Sequence, residues 1–153
     1  MHLSTHAGQI AFPGGRVDAE DKSIEDAALR EAQEEVGLAA HFVDVVGCMP
    51  SYITGTAFHI TPVIGLVSPH HVVSPNAFEV EAVFEVPLHF LMDPANHRLH
   101  QMERDGMLRQ WYSMPYLEPH ASKDGTYTER FIWGATAGMI RNFYRFLLAA
   151  NSL

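Results

Sequence analysis

The stretch Arg30-Glu31-Ala32-Gln33-Glu34-Glu35-Val36-Gly37-Leu38 carries the side chains best able to do chemistry. On a helix, residues three and four apart are neighbours, so Glu31, Glu34 and Glu35 fall within ~100° of arc. Carboxylates that close raise one another's pKa unless a cation intervenes. A cluster of hard oxygen donors suits Mg²⁺ or Mn²⁺. Arg30 stands four residues before Glu34, within reach to orient it through a charge-assisted hydrogen bond. Upstream, Pro13-Gly14-Gly15 signals a turn. Gly14 and Gly15 let the backbone approach a ligand closely, so a carbonyl there is a further candidate metal donor. A Glu-rich face alone is more often simply solvated; the glycine turn followed by a helix start makes the combination specific.

The elements that position these residues are readable. Ser23 is an N-cap with Asp26 three residues on, a weakened capping box. A helix is predicted over 24–36, closed by Gly37, with Leu29, Ala32 and Val36 on its core face. Strands are predicted at 42–46, within 57–67 with an interruption at Pro62, at 80–86, and at 130–133. Residues 88–92 read as a helical turn and 93–110 as a mobile loop broken by Pro94 and Gly106. A terminal helix is predicted over 135–149 from the spacing of Met139, Ile140, Phe143, Leu147 and Leu148. This order indicates an α+β or α/β/α layered domain.

The chain has 153 residues, 47% apolar and 18% charged, the composition of one globular domain spanning 1–153. Its net charge of −8 argues against a non-specific nucleic-acid or anionic-membrane surface. No apolar run reaches the ~18 residues of a membrane span, and no signal-peptide pattern opens the chain, so the expected location is cytoplasmic. Cys48 is alone, which excludes an internal disulfide framework.

Together, Gly15, Arg30-Glu31-Ala32, Glu34-Glu35 and Gly37-Leu38 resemble the Nudix box, G-x5-E-x7-R-E-U-x-E-E-x-G-U with U apolar. The match departs at Asp21, which replaces the first Glu and lies one residue further from Arg30 than the pattern has it. That insertion, with Gly8-x3-Phe12-Pro13-Gly14-Gly15 before it, is similar to the coenzyme A pyrophosphatase subfamily. The likeness extends through Thr61-Pro62-Val63, the Glu79–Leu88 segment and Phe131-Ile132-Trp133-Gly134-Ala135-Thr136-Ala137-Gly138.

The resemblance implies a Nudix-type α/β/α sandwich with a mixed sheet. It also implies Mg²⁺- or Mn²⁺-dependent hydrolysis of a pyrophosphate in a small molecule. For coenzyme A the products are 4′-phosphopantetheine and adenosine 3′,5′-bisphosphate. Glu31 and Glu35 become the principal metal ligands, Glu34 a further ligand or water orienter, Arg30 its support, and Gly14 or Gly15 a carbonyl donor. Glu79 is the candidate general base on a later loop, ahead of Glu81 and Glu85. Alternatives are another nucleoside diphosphate derivative as substrate, or an inactive Nudix-like binding module. The subfamily has a stretch before the box containing L-L-T-x-R-(S/A)-x3-R-x3-G, and Ser4 stands where its last Arg belongs. The expectation is a sheet short of roughly one or two N-terminal strands, whose open edge favours a homodimer.

His70-His71 lacks partners for a zinc site, and His6 is a loop residue near a possible phosphate. Tyr52, Phe58 and Trp111 are more often core than adenine platforms. Trp133 is expected to pack on the terminal helix, and Cys48 to be a small buried hydrophobe.

Overall fold

A computed structural model describes residues 9–120 and 125–151; Ser4, His6 and Gly8 of the sequence reading lie outside them. The described chain forms two compact units, one of residues 12–84 and one that joins the chain's start, up to residue 11, to residues 85–153.

In the first unit, helix α1 spans Ile24–Val36. The Ser23 hydroxyl accepts the Asp26 N–H at 3.1 Å, and Glu25 and Asp26 place negative charge in the first turn. Gly37 ends the helix in the left-handed region at φ 70°, and the Leu38 N–H returns to the Ala32 carbonyl at 3.2 Å. A Cβ on Gly37 would also lie 2.8 Å from the Ser74 carbonyl oxygen, so glycine is required twice over. Ala27, Ala32 and Val36 are the buried residues of α1; Leu29 is only half-buried. β1 (Val43–Cys48) pairs antiparallel with β4 (Val63–Val67) through a bulge between Val45 and Gly47. β2 (Tyr52–Ile53) and β3 (His59–Ile60) make a small hairpin. Pro62 falls between β3 and β4, the interruption its missing N–H predicts.

The segment predicted as a strand over 80–86 joins no ladder among the described residues. Its entry is a turn instead: Glu79 and Val80 both donate their N–H to the Asn76 carbonyl. Ser74 and Asn76 in turn donate to the Val36 and Glu35 carbonyls, so the loop satisfies the free end of α1 and carries Glu79 with it. A period-two pattern makes a strand only where a partner strand is available.

The second unit holds α2 (Leu88–Leu91) and a three-stranded antiparallel sheet ordered β5–β6–β7, with α3 packed on it. β5 is Arg98–Arg104, β6 Met107–Pro119 and β7 Tyr127–Trp133. The expected loop over 93–110 is therefore corrected: most of it is a hairpin. Asp105 and Gly106, at φ 54° and 72°, form its two-residue turn, which matches strand twist. Helix α3 spans Gly134–Ala150. Its Ile140 and Ala137 close over Met114 and Ile132, Met114 being 0% exposed, and Ile10, Phe90 and Leu91 pack around them. The Thr136 hydroxyl donates to the Ile10 carbonyl at 3.0 Å. Trp133 stands at the N-cap position of the helix and is 44% exposed.

The α+β class is as expected. The described ladders are all antiparallel and lie in three sheets, where one mixed sheet was expected. No described helix is long and apolar enough to cross a membrane.

Candidate active site

Arg30 organises the acidic face of α1. Its Nε and one terminal nitrogen grip both oxygens of Asp21 at 3.0 and 3.1 Å. The same terminal nitrogen donates to the Arg16 carbonyl at 3.0 Å. The other donates to Glu31 at 3.0 Å and to Glu34 at 3.2 Å. Five donors in a planar fork let one guanidinium do this; an ammonium would not. Asp21 is well placed to receive it, its side chain 6% exposed. A turn in which Asp21 donates its N–H to the Asp18 carbonyl, while its carboxylate accepts the Asp18 N–H at 2.7 Å, points it back at the helix. The Arg30 hydrogen bond, then the Asp18 N–H, hold the Asp21 carboxyl below its ordinary value.

From sequence alone Asp21 is only a departure from the box pattern. The structure gives it the charge partner of Arg30. The signal was an arginine that needs an acid beyond its own helix, nine residues upstream.

The glycine turn lies against the same helix. The Gly14 N–H donates to Glu35 at 3.1 Å. Gly15 has no room for a side chain, since a Cβ there would overlap the Glu31 carboxyl group, 2.8 Å from Oε2 and nearer still to its other atoms. Gly14 has open space around its Cα. The two glycines thus act differently: Gly15 by close approach, Gly14 by its N–H.

Burial raises the Glu35 pKa, the Gly14 hydrogen bond opposes it, and the charges of Glu31, Glu79 and Glu34 raise it further. Glu79 therefore contributes to the same negative field, held by the Asn76 side-chain amide at 3.2 Å. Glu81 is exposed beyond that turn, and Glu85 belongs to the other unit.

A divalent cation fits this donor set by its chemistry. Glu31, Glu34 and Glu35 each commit one oxygen, to Arg30 or to Gly14, and the second oxygen of each has no partner among the described residues. Hard oxygens and unrelieved like charge are what Mg²⁺ or Mn²⁺ seeks. Among the described residues no three acidic, His or Cys side chains are grouped closely enough to hold a metal ion as they stand, so the fit rests on the chemistry of the donors and not on a formed site.

The minor candidates are settled in part. The His71 ring meets the Ser68 carbonyl at 2.8 Å. Phe58 is exposed, and Trp111 stacks on His100. Cys48 is exposed, correcting its expected burial. Its thiol donates to Glu25 at 3.3 Å, and partial desolvation with that acceptor pushes its pKa up, away from thiolate character. An open depression of about 360 Å³ beside His41, Asp44 and Ser68 holds none of the box residues.

A glycine turn set against an Arg-tethered glutamate face is the arrangement the Nudix-box resemblance implies, and comparison with known proteins shows the family. The NUDIX domain model matches residues 2–131, and the chain belongs to the Nudix family. It is 41% identical over 142 residues to an uncharacterized Nudix hydrolase, NudL, of Escherichia coli O7:K1 (strain IAI39 / ExPEC), covering 92% of this chain and 68% of that protein. The NudL proteins of Salmonella paratyphi B (strain ATCC BAA-1250 / SPB7) and Salmonella newport (strain SL254) are each 40% identical over the same shares.

Proposed function

We propose that this chain is a metal-dependent pyrophosphohydrolase acting on coenzyme A or its derivatives, releasing 4′-phosphopantetheine (or its acylated form) and adenosine 3′,5′-bisphosphate. The observation that supports it most is the Arg30 lattice, which holds Glu31 and Glu34 while one oxygen of each has no partner among the described residues. In this reading Glu31, Glu34 and Glu35 hold Mg²⁺ or Mn²⁺, with Gly14 or Gly15 as a carbonyl donor. Bound there, the ion supplies positive charge to the diphosphate oxygens and lowers the pKa of a nearby water.

The chain's own residues do the rest. Arg30 keeps two glutamates oriented, Asp21 keeps Arg30 oriented, and Gly15 lets the turn close on Glu31. Glu79, on the loop tied to the end of α1, is the residue assigned to take the proton of the attacking water. The water oxygen joins one phosphorus as the bridging P–O bond breaks, and the bridging oxygen leaves with the other phosphate.

The test is incubation with Mg²⁺ or Mn²⁺ and coenzyme A, following adenosine 3′,5′-bisphosphate. Absence of turnover by folded protein refutes it. The box chemistry serves other nucleoside diphosphate derivatives equally, so a substrate panel decides by the ratio of specificity constants. An inactive binding module is the outcome if Glu31→Gln changes neither metal affinity nor activity. The same reading takes residues 1–153 as one cytoplasmic domain. It includes a homodimer, supported by the outer edges of β5 and β7, which pair with no strand among the described residues; a light-scattering mass of one chain removes that element.

A further inference from the structure

The β5–β6 hairpin sorts its charges by face. Paired strands send alternate side chains to opposite faces, so Arg98, His100 and Arg104 of β5 share a face with Arg109 and Trp111 of β6. No acidic residue of either paired segment lies on that face; Glu103 is on the other. These are three of the ten Lys and Arg residues in a chain of net charge −8. Arg98 and Arg109 are exposed and pair with no carboxylate among the described residues. Among the described residues the carboxylate that Arg104 meets is that of Asp105 in the turn, at 3.7 Å.

Between the arginines, His100 and Trp111 stack with ring centroids 5.4 Å apart and planes 12° from parallel. The His100 ring is fixed by a 2.7 Å hydrogen bond between Nε2 and the hydroxyl of fully buried Ser113. The pair is half-buried while the arginines beside it are exposed.

We propose that this face is a binding site for a mononucleotide, its base extending the Trp111–His100 stack and its phosphates held by Arg98 and Arg109. Guanidinium forks match phosphate oxygens, and a fixed aromatic plane gives a base a stacking surface. Charge complementarity selects an anion here and nowhere else on the hairpin. One stacked pair accommodates one base, whereas single-stranded nucleic acid uses a succession of such platforms. The site draws on no residue of the Arg30 lattice, so it stands or falls separately from the hydrolytic reading.

The experiment is equilibrium dialysis of adenosine 3′,5′-bisphosphate against the full chain in EDTA, with tryptophan fluorescence as second readout. Saturable binding is expected, weakened roughly tenfold or more in the Arg98→Gln/Arg109→Gln double variant. Adenosine without phosphate should bind far more weakly. Trp111→Phe should retain most of the affinity and Trp111→Leu lose it; if Trp111→Leu does not fold, the exposed arginine variant decides. Unchanged binding in the double variant, no saturable binding by the natural chain, or tighter binding of an oligonucleotide than of the mononucleotide overturns the proposal.

Discussion

Replacing Gly15 by alanine should separate positioning from stability. The added Cβ would overlap the Glu31 carboxyl group, with Oε2 only 2.8 Å away where ordinary contacts begin at 3.4 Å. What it strikes is the far end of a flexible side chain, so Glu31 swings aside at little energetic cost. We expect folding stability to change by less than about 1 kcal/mol, within the range of ordinary surface substitutions plus a small rotamer penalty. The carboxylate, however, moves by the order of an ångström from where Arg30 holds it. Misplacement on that scale costs on the order of 10²-fold in rate. Gly14→Ala is the matched control: nothing lies within 4 Å of its new methyl group, and its N–H still reaches Glu35. Pyrophosphate hydrolysis with Mn²⁺, on the best substrate of the panel, should therefore fall about 100-fold in Gly15→Ala and stay within about twofold in Gly14→Ala. Thermal melting of both variants is read in parallel. Equal activity in the two variants, with both folded, would refute the assignment of Glu31 to the reacting centre.

Asp21→Asn should lower kcat about tenfold with little change in KM, because it loosens Arg30 without touching substrate; unchanged kcat would disprove the positioning role. The same pair gives a pH signature. Because the folded-state pKa of Asp21 is depressed below 3.8, its contribution is fully present above that value and lost as pH falls through the lower one. The difference in melting temperature between the natural chain and Asp21→Asn should thus be constant near pH 6 and shrink below pH ~4. Metal removal should be visible without turnover: an ion present at 100 times its dissociation constant stabilises the folded chain by about 2.7 kcal/mol. EDTA should abolish that gain in the natural chain, and Glu31→Gln should lack most of it from the start. Gly106→Ala should cost about 1–2 kcal/mol in denaturant unfolding, because its Cβ meets nothing and only the left-handed backbone is penalised.

Local signals were legible and non-local ones were not. Ser23 and Gly37 mark the ends of α1 because capping chemistry is written within a few residues. The terminal helix was equally plain from its spacing, one residue short at each end. Pro94 and Gly106 read as breakers of one long loop, yet Asp105-Gly106 is also a hairpin turn, and only the pairing of Arg104 with Met107 decides between them. The Val80–Val86 pattern fails for the opposite reason, since alternation names a face without naming a partner. In the site, Glu31, Glu34, Glu35 and Arg30 follow from helical spacing. Asp21 does not, because a turn from Asp18 had to aim it.

Asp21 reaches Arg30 although it departs from the box pattern in both residue type and spacing. Aspartate is one methylene shorter than glutamate, and the loop before Arg30 is one residue longer. The turn at Asp18 aims the carboxylate so that it meets both Nε and a terminal nitrogen of Arg30. Arg30 is then saturated on three sides: Asp21, the Arg16 carbonyl, and the glutamates. Against four clustered glutamates, Arg30 and the Gly14 N–H supply compensation for only one oxygen each on Glu31, Glu34 and Glu35. The uncompensated remainder is concentrated where the glycine turn makes room. Those oxygens, on glutamates that Arg30 and the Gly14 N–H already orient, are the ones a ligand bringing its own positive charge would meet.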